Sequence, residues 1–225
     1  MSKTIVLFML LTLAVATAFA QNQANTTTPS AQSGFLGDYS QLQPAKDREG
    51  VLLYVNRTGK YKSYTKILFR PVEVYVSPGS EYKGVNPDVL KRMTDEFLAS
   101  FKRALGTGYQ VVSEPGPDVL QVRCAITGIA IVKPSLNPTD FLPIKALFNA
   151  GRAAAGGSPQ VVELGAEMEV LDNANNRVAA AVATRKGDKT LQQGEQITWQ
   201  HLQAITDYWA KGFRQRLDEL RSAPG

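Results

Sequence analysis

Cysteine and histidine are nearly missing from this 225-residue chain, which has one of each. The lone Cys124 forms no internal disulfide, so a folded domain has to be held by its core. A Cys/His metal site needs several ligands, and none lies near His201 in the sequence. A nucleophile elbow, a phosphate loop and a dinucleotide glycine motif are also absent. No cofactor, no metal and no enzymatic activity are expected. Charge of one sign is not concentrated either: 25 Lys/Arg face 20 Asp/Glu, for a net +5, and the two signs are interspersed. Nucleic-acid binders gather their basic residues into a stripe, so nucleic acid is not an expected partner. Mild attraction to an anionic surface is the most this balance supports.

Long hydrophobic runs are lacking as well. The apolar stretch at residues 5–15 falls short of the roughly 20 residues that span a bilayer. It has another use. Lys3 precedes it, and Ala18-Phe19-Ala20 follows as a small-x-small cleavage signature before Gln21, so residues 1–20 read as a signal peptide. Polar Gln21-Asn22-Gln23 replaces a basic stop-transfer flank, and the mature chain is expected to have no transmembrane segment. Asn25-Thr26-Thr27 and Asn56-Arg57-Thr58 match glycosylation acceptors, which matter only on a eukaryotic secretory route. No cysteine stands at the cleavage site to take a lipid. The roughly 200 residues that remain suit one domain with a flexible arm.

What is present divides cleanly. Residues 21–33 are polar, uncharged and aperiodic, as in a disordered arm. A single domain is expected over 34–225. In Gly34-Phe35-Leu36-Gly37-Asp38-Tyr39-Ser40-Gln41-Leu42, the residues Phe35, Tyr39 and Leu42 are spaced to share one face of a turn and to dock like a clip. Residues 51–55 and 66–76 read as strands. Asn86-Pro87-Asp88 is a helix start, followed by Leu90, Met93, Phe97, Phe101 and Ala104 in one apolar stripe that Gly106 ends. Residues 109–114 and 119–132 read as strands joined by the turn Pro115-Gly116-Pro117-Asp118. Cys124 shares a strand face with Leu120, Val122 and Ile126, which reads as a buried small hydrophobe. Residues 161–171 and 177–185 form a further hairpin around Asp172-Asn173-Ala174-Asn175-Asn176. Residues 199–220 make a second amphipathic helix with Leu202, Ile205, Trp209, Phe213, Leu217 and Leu220 in line. Gly212 beside that stripe marks a close approach to another element. The expected fold is α+β: a two-layer sandwich, its mainly antiparallel sheet covered on one face by two long helices.

Two places invite a functional reading. Glu163, Glu167 and Glu169 alternate along one strand, with Arg185 and Lys186 on the return strand. Residues two apart on a strand are about 6.5–7 Å apart, near the carboxylate spacing of some sugar hydrolases. Acid–base work also needs burial or close pairing to shift a pKa, and the expectation is a solvated sheet face. The second place is the apolar insertion at 133–160, punctuated by Asn137-Pro138 and Leu142-Pro143. Its Phe141, Leu142, Ile144, Leu147 and Phe148 either cap the core or form an exposed surface for a partner or membrane.

The 34–42 motif, Val72-Glu73-Val74-Tyr75-Val76, the acid-alternating 162–172 strand with its alanine-rich return, and the Trp-containing last helix together resemble a bacterial envelope family, domain of unknown function 3313. The resemblance implies a Gram-negative envelope protein with no assigned activity, often lipid-anchored in its relatives. This chain departs from that pattern at Ala20-Gln21, where no lipid-attachment cysteine stands, and a free periplasmic or secreted form is expected. The functional expectation is a non-catalytic binding or assembly module that engages an envelope protein or lipid surface through a sheet edge or the 141–148 segment. The alternative is a periplasmic hydrolase using Glu163, Glu167 and Glu169.

Overall fold

The computed structural model describes residues 32–59, 61–75, 87–132, 160–192, 195 and 197–222. Ten elements follow in order: β1 (Gln43–Pro44), β2 (Val51–Val55), β3 (Lys66–Phe69), β4 (Glu73–Val74), α1 (Pro87–Leu105), β5 (Gln110–Val112), β6 (Val119–Val132), β7 (Gln160–Leu171), β8 (Arg177–Leu191) and α2 (Trp199–Ser222). The strands form one mixed, mostly antiparallel sheet in the order β1-β2-β8-β7-β6-β3-β5, with β4 also paired to β6. The leader at 1–20, nearly all of the arm at 21–33, and the insertion residues 133–159 lie outside the described residues.

Local chemistry explains the element ends. Pro87, which has no N–H to satisfy, opens α1. The helix ends at Leu105, where Gly106 turns left-handed (φ 54°). In the β7–β8 turn, the Asp172 carboxylate accepts the N–H groups of Ala174 and Asn176 at 2.8 Å, and Asn175 takes φ 61°. His201 secures the start of α2: its Nδ1 accepts the Thr198 N–H at 3.1 Å, and its Nε2 lies 3.3 Å from Glu195. The sole histidine is 5% exposed and serves a helix end.

Two pairings differ from the sequence expectation. The stretch expected as one strand over 66–76 is broken at Pro71, which cannot donate to a ladder, and both halves run parallel to β6. The segments expected to form a hairpin around Pro115–Asp118 are not paired with each other. Instead β3 lies between them, parallel to β5 on one side and β6 on the other. Asp118 O accepts the N–H groups of Thr65 and Lys66, which returns the chain to the start of β3. A strand that leaves for a helix and comes back gives parallel neighbours, as in any strand–helix–strand crossover.

Successive residues of a strand point to opposite faces, and each face has its own core. On one, Val122, Cys124 and Ile126 of β6 and Val162, Leu164 and Val170 of β7 cluster with Phe97, Phe101, Leu202, Ile205 and Trp209 from both helices. Phe97 stacks on Phe101 at 5.0 Å and meets Trp209 edge-on at 6.5 Å. On the other, Ala125, Ala180 and Val182 cluster with Phe35, Leu36 and Leu42. Cys124 is the expected small buried hydrophobe, and burial raises its thiol pKa far above the ordinary value.

Candidate functional site

The acidic strand face is not solvated. Glu163 and Glu167 are each 1% exposed and Glu169 4%. Alternation along β7 places all three opposite the helix-side core, but residues 33–42 fold over this face as a strap. Positive φ at Gly34 (94°) and Gly37 (70°) lets the strap turn tightly enough to drive Phe35 and Leu36 into the sheet. The clip anticipated from Phe35, Tyr39 and Leu42 therefore exists, built from turns.

Two of the acids, Glu167 and Glu169, are the strap's fastenings. Glu167 accepts the Ser33 N–H at 2.9 Å and the Tyr39 hydroxyl at 2.6 Å. Tyr39 Oη in turn accepts the Gly34 N–H at 2.8 Å and the Leu36 N–H at 3.3 Å. Burial, and next the bond to Glu167, push the Tyr39 hydroxyl above its ordinary pKa. Glu169 lies between two guanidinium groups, at 2.5 Å from Arg123 and 3.1 Å from Arg177. Arg177 also donates to Leu36 O at 2.6 Å and Asp38 O at 2.7 Å, while Arg123 lies over the Phe35 ring at 4.9 Å. Glu163 stands across the ladder from Lys186 and Ala130. Arg185, expected beside the acids, is on the other face and stacks on Tyr208 at 3.6 Å. The Glu167 and Glu169 carboxylates are spent on holding backbone and arginine in place.

A different feature has the shape of a binding site. On the helix side, α2 stands off from β2 and β8 and leaves an apolar groove of about 110 Å³. Its floor is Ala179, Ala181 and Ala183 of β8 beside Val51, Leu53 and Val55 of β2, and Trp209, Phe213 and Leu217 form its wall. Phe213, expected in the core, is only half-buried because it borders this opening, while it touches Phe101 at 5.6 Å and Phe69 at 6.2 Å. Arg48 and Arg216 stand at the rim. Gly212 is where the Arg48 guanidinium crosses α2, so closely that a Cβ would collide with it. This is the close approach that the glycine foretold. Arg48 donates to Gln215 at 3.1 Å, and Arg216 grips Asp47 with two bonds of 2.7 Å.

The candidate surface residues Phe141, Leu142, Ile144, Leu147 and Phe148 lie outside the described residues. Sequence reasoning missed Arg123, Arg177 and Ser33 as partners of the acids, and missed the groove. The signal for the first was an arginine on each strand flanking β7; for the second, three alternate alanines where a strand core normally takes branched residues. Among the described residues no group of three or more His, Cys, Asp or Glu is placed to hold a metal ion. No helix among them is long and apolar enough to cross a membrane.

Comparison with known proteins supplies the context. The chain is 26% identical over 184 residues to the uncharacterized lipoprotein YdcL of Escherichia coli strain K12, covering 80% of this chain and 82% of the relative. The same figures hold for the protein of that name in strain O157:H7. Among solved structures it is similar to PelC from Paraburkholderia phytofirmans, a dodecamer, with TM-score 0.39, 10% identity, and coverage of 78% of this chain and 98% of that one. It is also similar to a DUF4136 family protein from Bacteroides thetaiotaomicron, with TM-score 0.37, 7% identity, and coverage of 83% and 100%. The lipoprotein relatives correct one expectation. A free periplasmic or secreted form was inferred from the cysteine missing at Ala20-Gln21, and that inference does not stand, because relatives named as lipoproteins point to lipid-anchored attachment at a membrane. The family resemblance drawn from the motifs does stand. The family model described as Protein of unknown function (DUF3313) matches residues 31–213, and the chain belongs to that family.

Proposed function

We propose that this protein is a non-catalytic module of the bacterial envelope, held at a membrane, that binds a partner or ligand without converting it. One observation carries the reading: the three carboxylates best placed for acid–base chemistry are all buried, and two of them lie beneath the 33–42 strap. There Glu167 fastens the strap and Glu169 is held by Arg123 and Arg177. A carboxylate that works as an acid or base must reach a substrate proton, and these face inward onto the protein. Attachment at a membrane is brought to this chain from relatives named as lipoproteins.

The architecture that suits this role is one domain over 34–225, with α1 and α2 forming a single layer on one sheet face and the strap on the other. The mutual packing of the helices, and the contacts of α2 with β7 and β8, support that layering. The insertion at 133–160, with Phe141, Leu142, Ile144, Leu147 and Phe148, is a second contact surface in this reading. The test is fractionation of cells expressing the native chain. The protein should sediment with membranes, resist a high-salt wash and leave with detergent. Recovery in the soluble fraction, or release by salt alone, would overturn membrane attachment.

A further inference from the structure

We propose that the groove between α2 and the β2–β8 surface is a binding site for one acyl chain carrying an anionic head, with Arg48 and Arg216 receiving the head. This deepens the membrane-held binding reading and rests on it.

The floor is the first observation. Ala179, Ala181 and Ala183 occupy successive inward positions of β8, and all three stay partly accessible although they face the larger core. Close-packed interiors leave few voids larger than a water. About 110 Å³ of apolar space is of the order of the ~150 Å³ cavity that stays dry and takes up benzene, enough for roughly six carbons.

The second observation is independent of the alanines. Trp209 lines the groove and is 8% exposed, and its indole N–H is buried with no hydrogen-bond partner. Buried tryptophan N–H groups are normally bonded. A hydrocarbon alone would leave this donor unmet, whereas the carbonyl or carboxylate oxygen of an acyl compound accepts from it.

Charge is the third. Arg48 and Arg216 border the opening, and Arg185 shares the Tyr208 ring with Arg48, at 3.6 Å and 5.8 Å respectively. Among the described residues the rim's counter-charges are Asp47 and Glu219, both on Arg216, with Asp47 also 3.6 Å from Arg48. Arg216 Nε is buried with no hydrogen-bond partner and Arg48 meets Asp47 only at 3.6 Å, so the two groove-lining guanidinium groups keep donors for an anion, and guanidinium matches carboxylate and phosphate oxygens equally well. The head therefore belongs to a fatty carboxylate or to a lipid phosphate. The chain's own insertion is the competing occupant. Its ends join at Val132 and Gln160, and Gln160 is roughly 20 Å along β7 from the groove residue Ala166.

The test is calorimetric titration of delipidated full-length protein in solution, without membranes, so its failure is separable from failure of the fractionation above. The probes are dodecanoate, lauroyl lysophosphatidylglycerol and neutral monolauroyl glycerol, each below its micelle concentration. One anionic amphiphile should saturate at one per chain and bind at least about tenfold more tightly than the neutral ester. Whichever anion is tighter identifies the source of the head. Ala181→Phe, which fills the groove, should weaken binding about a hundredfold without lowering the melting temperature, and Ala181→Leu replaces it if the larger side chain prevents folding. Arg48→Gln should erase the preference for the anion. No saturable binding, equal binding of neutral and anionic probes, or unchanged affinity in the filled variants would overturn the proposal. So would binding that appears only after Phe141→Ser with Phe148→Ser, since the insertion would then be the resident of the groove.

Discussion

The two faces of this sheet are buried by different means. The helix face is buried by volume: Phe97, Phe101, Ile205 and Leu202 interlock, each 2% exposed or less. The strap face is buried by charge and hydrogen bonds. There, ten residues of irregular chain are held on Glu167, Glu169, Arg123 and Arg177, with only Phe35, Leu36 and Leu42 as buried apolar anchors. Apolar packing is non-directional and is not screened by salt. A buried ionic network is directional, and removing one partner costs more than the pair contributes. The helix face therefore sets global stability, and the strap face specifies where the 33–42 segment lies.

The widest separation between the faces should come from Phe97→Ala. Truncating a buried aromatic costs about 3–5 kcal/mol, and the loss should appear in the urea midpoint at any ionic strength. Loss of less than about 1 kcal/mol would show that the helix layer contributes far less than its burial implies. The corresponding change on the strap face is Glu169→Gln. It removes the carboxylate that Arg123 and Arg177 share, leaving Arg123 with Glu73 at 3.7 Å, and bonds to charged groups contribute about 1.5–3 kcal/mol. The two guanidinium groups are 38% and 21% exposed, so water recovers part of that, and a cost near the lower end is expected. Unlike Phe97→Ala, this variant should differ least from the native protein at high salt, where screening has already weakened the network. A salt-independent cost would mean that the strap is held by its apolar anchors alone.

The same contrast accounts for what could be read from the sequence. Helices α1 and α2 were legible because apolar residues at three- and four-residue steps line up only when the chain is wound as a helix. The β7–β8 hairpin was legible from clean alternation around an Asn-rich turn. The parallel placement of β3 between β5 and β6 was not, because short strands whose partners lie across a helix leave no local trace of which neighbour they choose. Glu163, Glu167 and Glu169 were found but misplaced. Alternating acids look identical whether water or a strap held by neighbouring arginines covers them, and Arg123 and Arg177 become partners of Glu169 only through cross-strand register. The groove was half visible. The alanine-rich return strand was noticed, but a small residue becomes a cavity only when the opposite helix fails to fill the space, and sequence does not specify that distance.

The finest probe of the comparison is Tyr39, which ties the strap to the sheet through one oxygen. Tyr39→Phe keeps the ring and deletes the bond to Glu167 together with the acceptor used by Gly34 and Leu36 N–H. Loss of the bond to Glu167, with the Gly34 and Leu36 N–H groups left to water, should cost about 1–2 kcal/mol, seen mainly as faster amide exchange across residues 33–42. The pH dependence separates this from simple loosening. The Tyr39 hydroxyl is raised above its ordinary 10.0 by burial and by Glu167. A raised acid binds its proton more tightly folded than unfolded, so its contribution is complete below pH 10 and is lost as pH climbs from there through the folded value. Tyr61, Tyr64 and Tyr109 are raised as well, so the native protein weakens in alkali for several reasons. The informative quantity is the difference between native and Tyr39→Phe proteins. That difference should be constant from pH 7 to 9 and shrink above pH 10, while exchange in α1 stays the same in both. A difference that persists unchanged at high pH would show that the hydroxyl does not fasten the strap and that Phe35, Leu36 and Leu42 hold it without help.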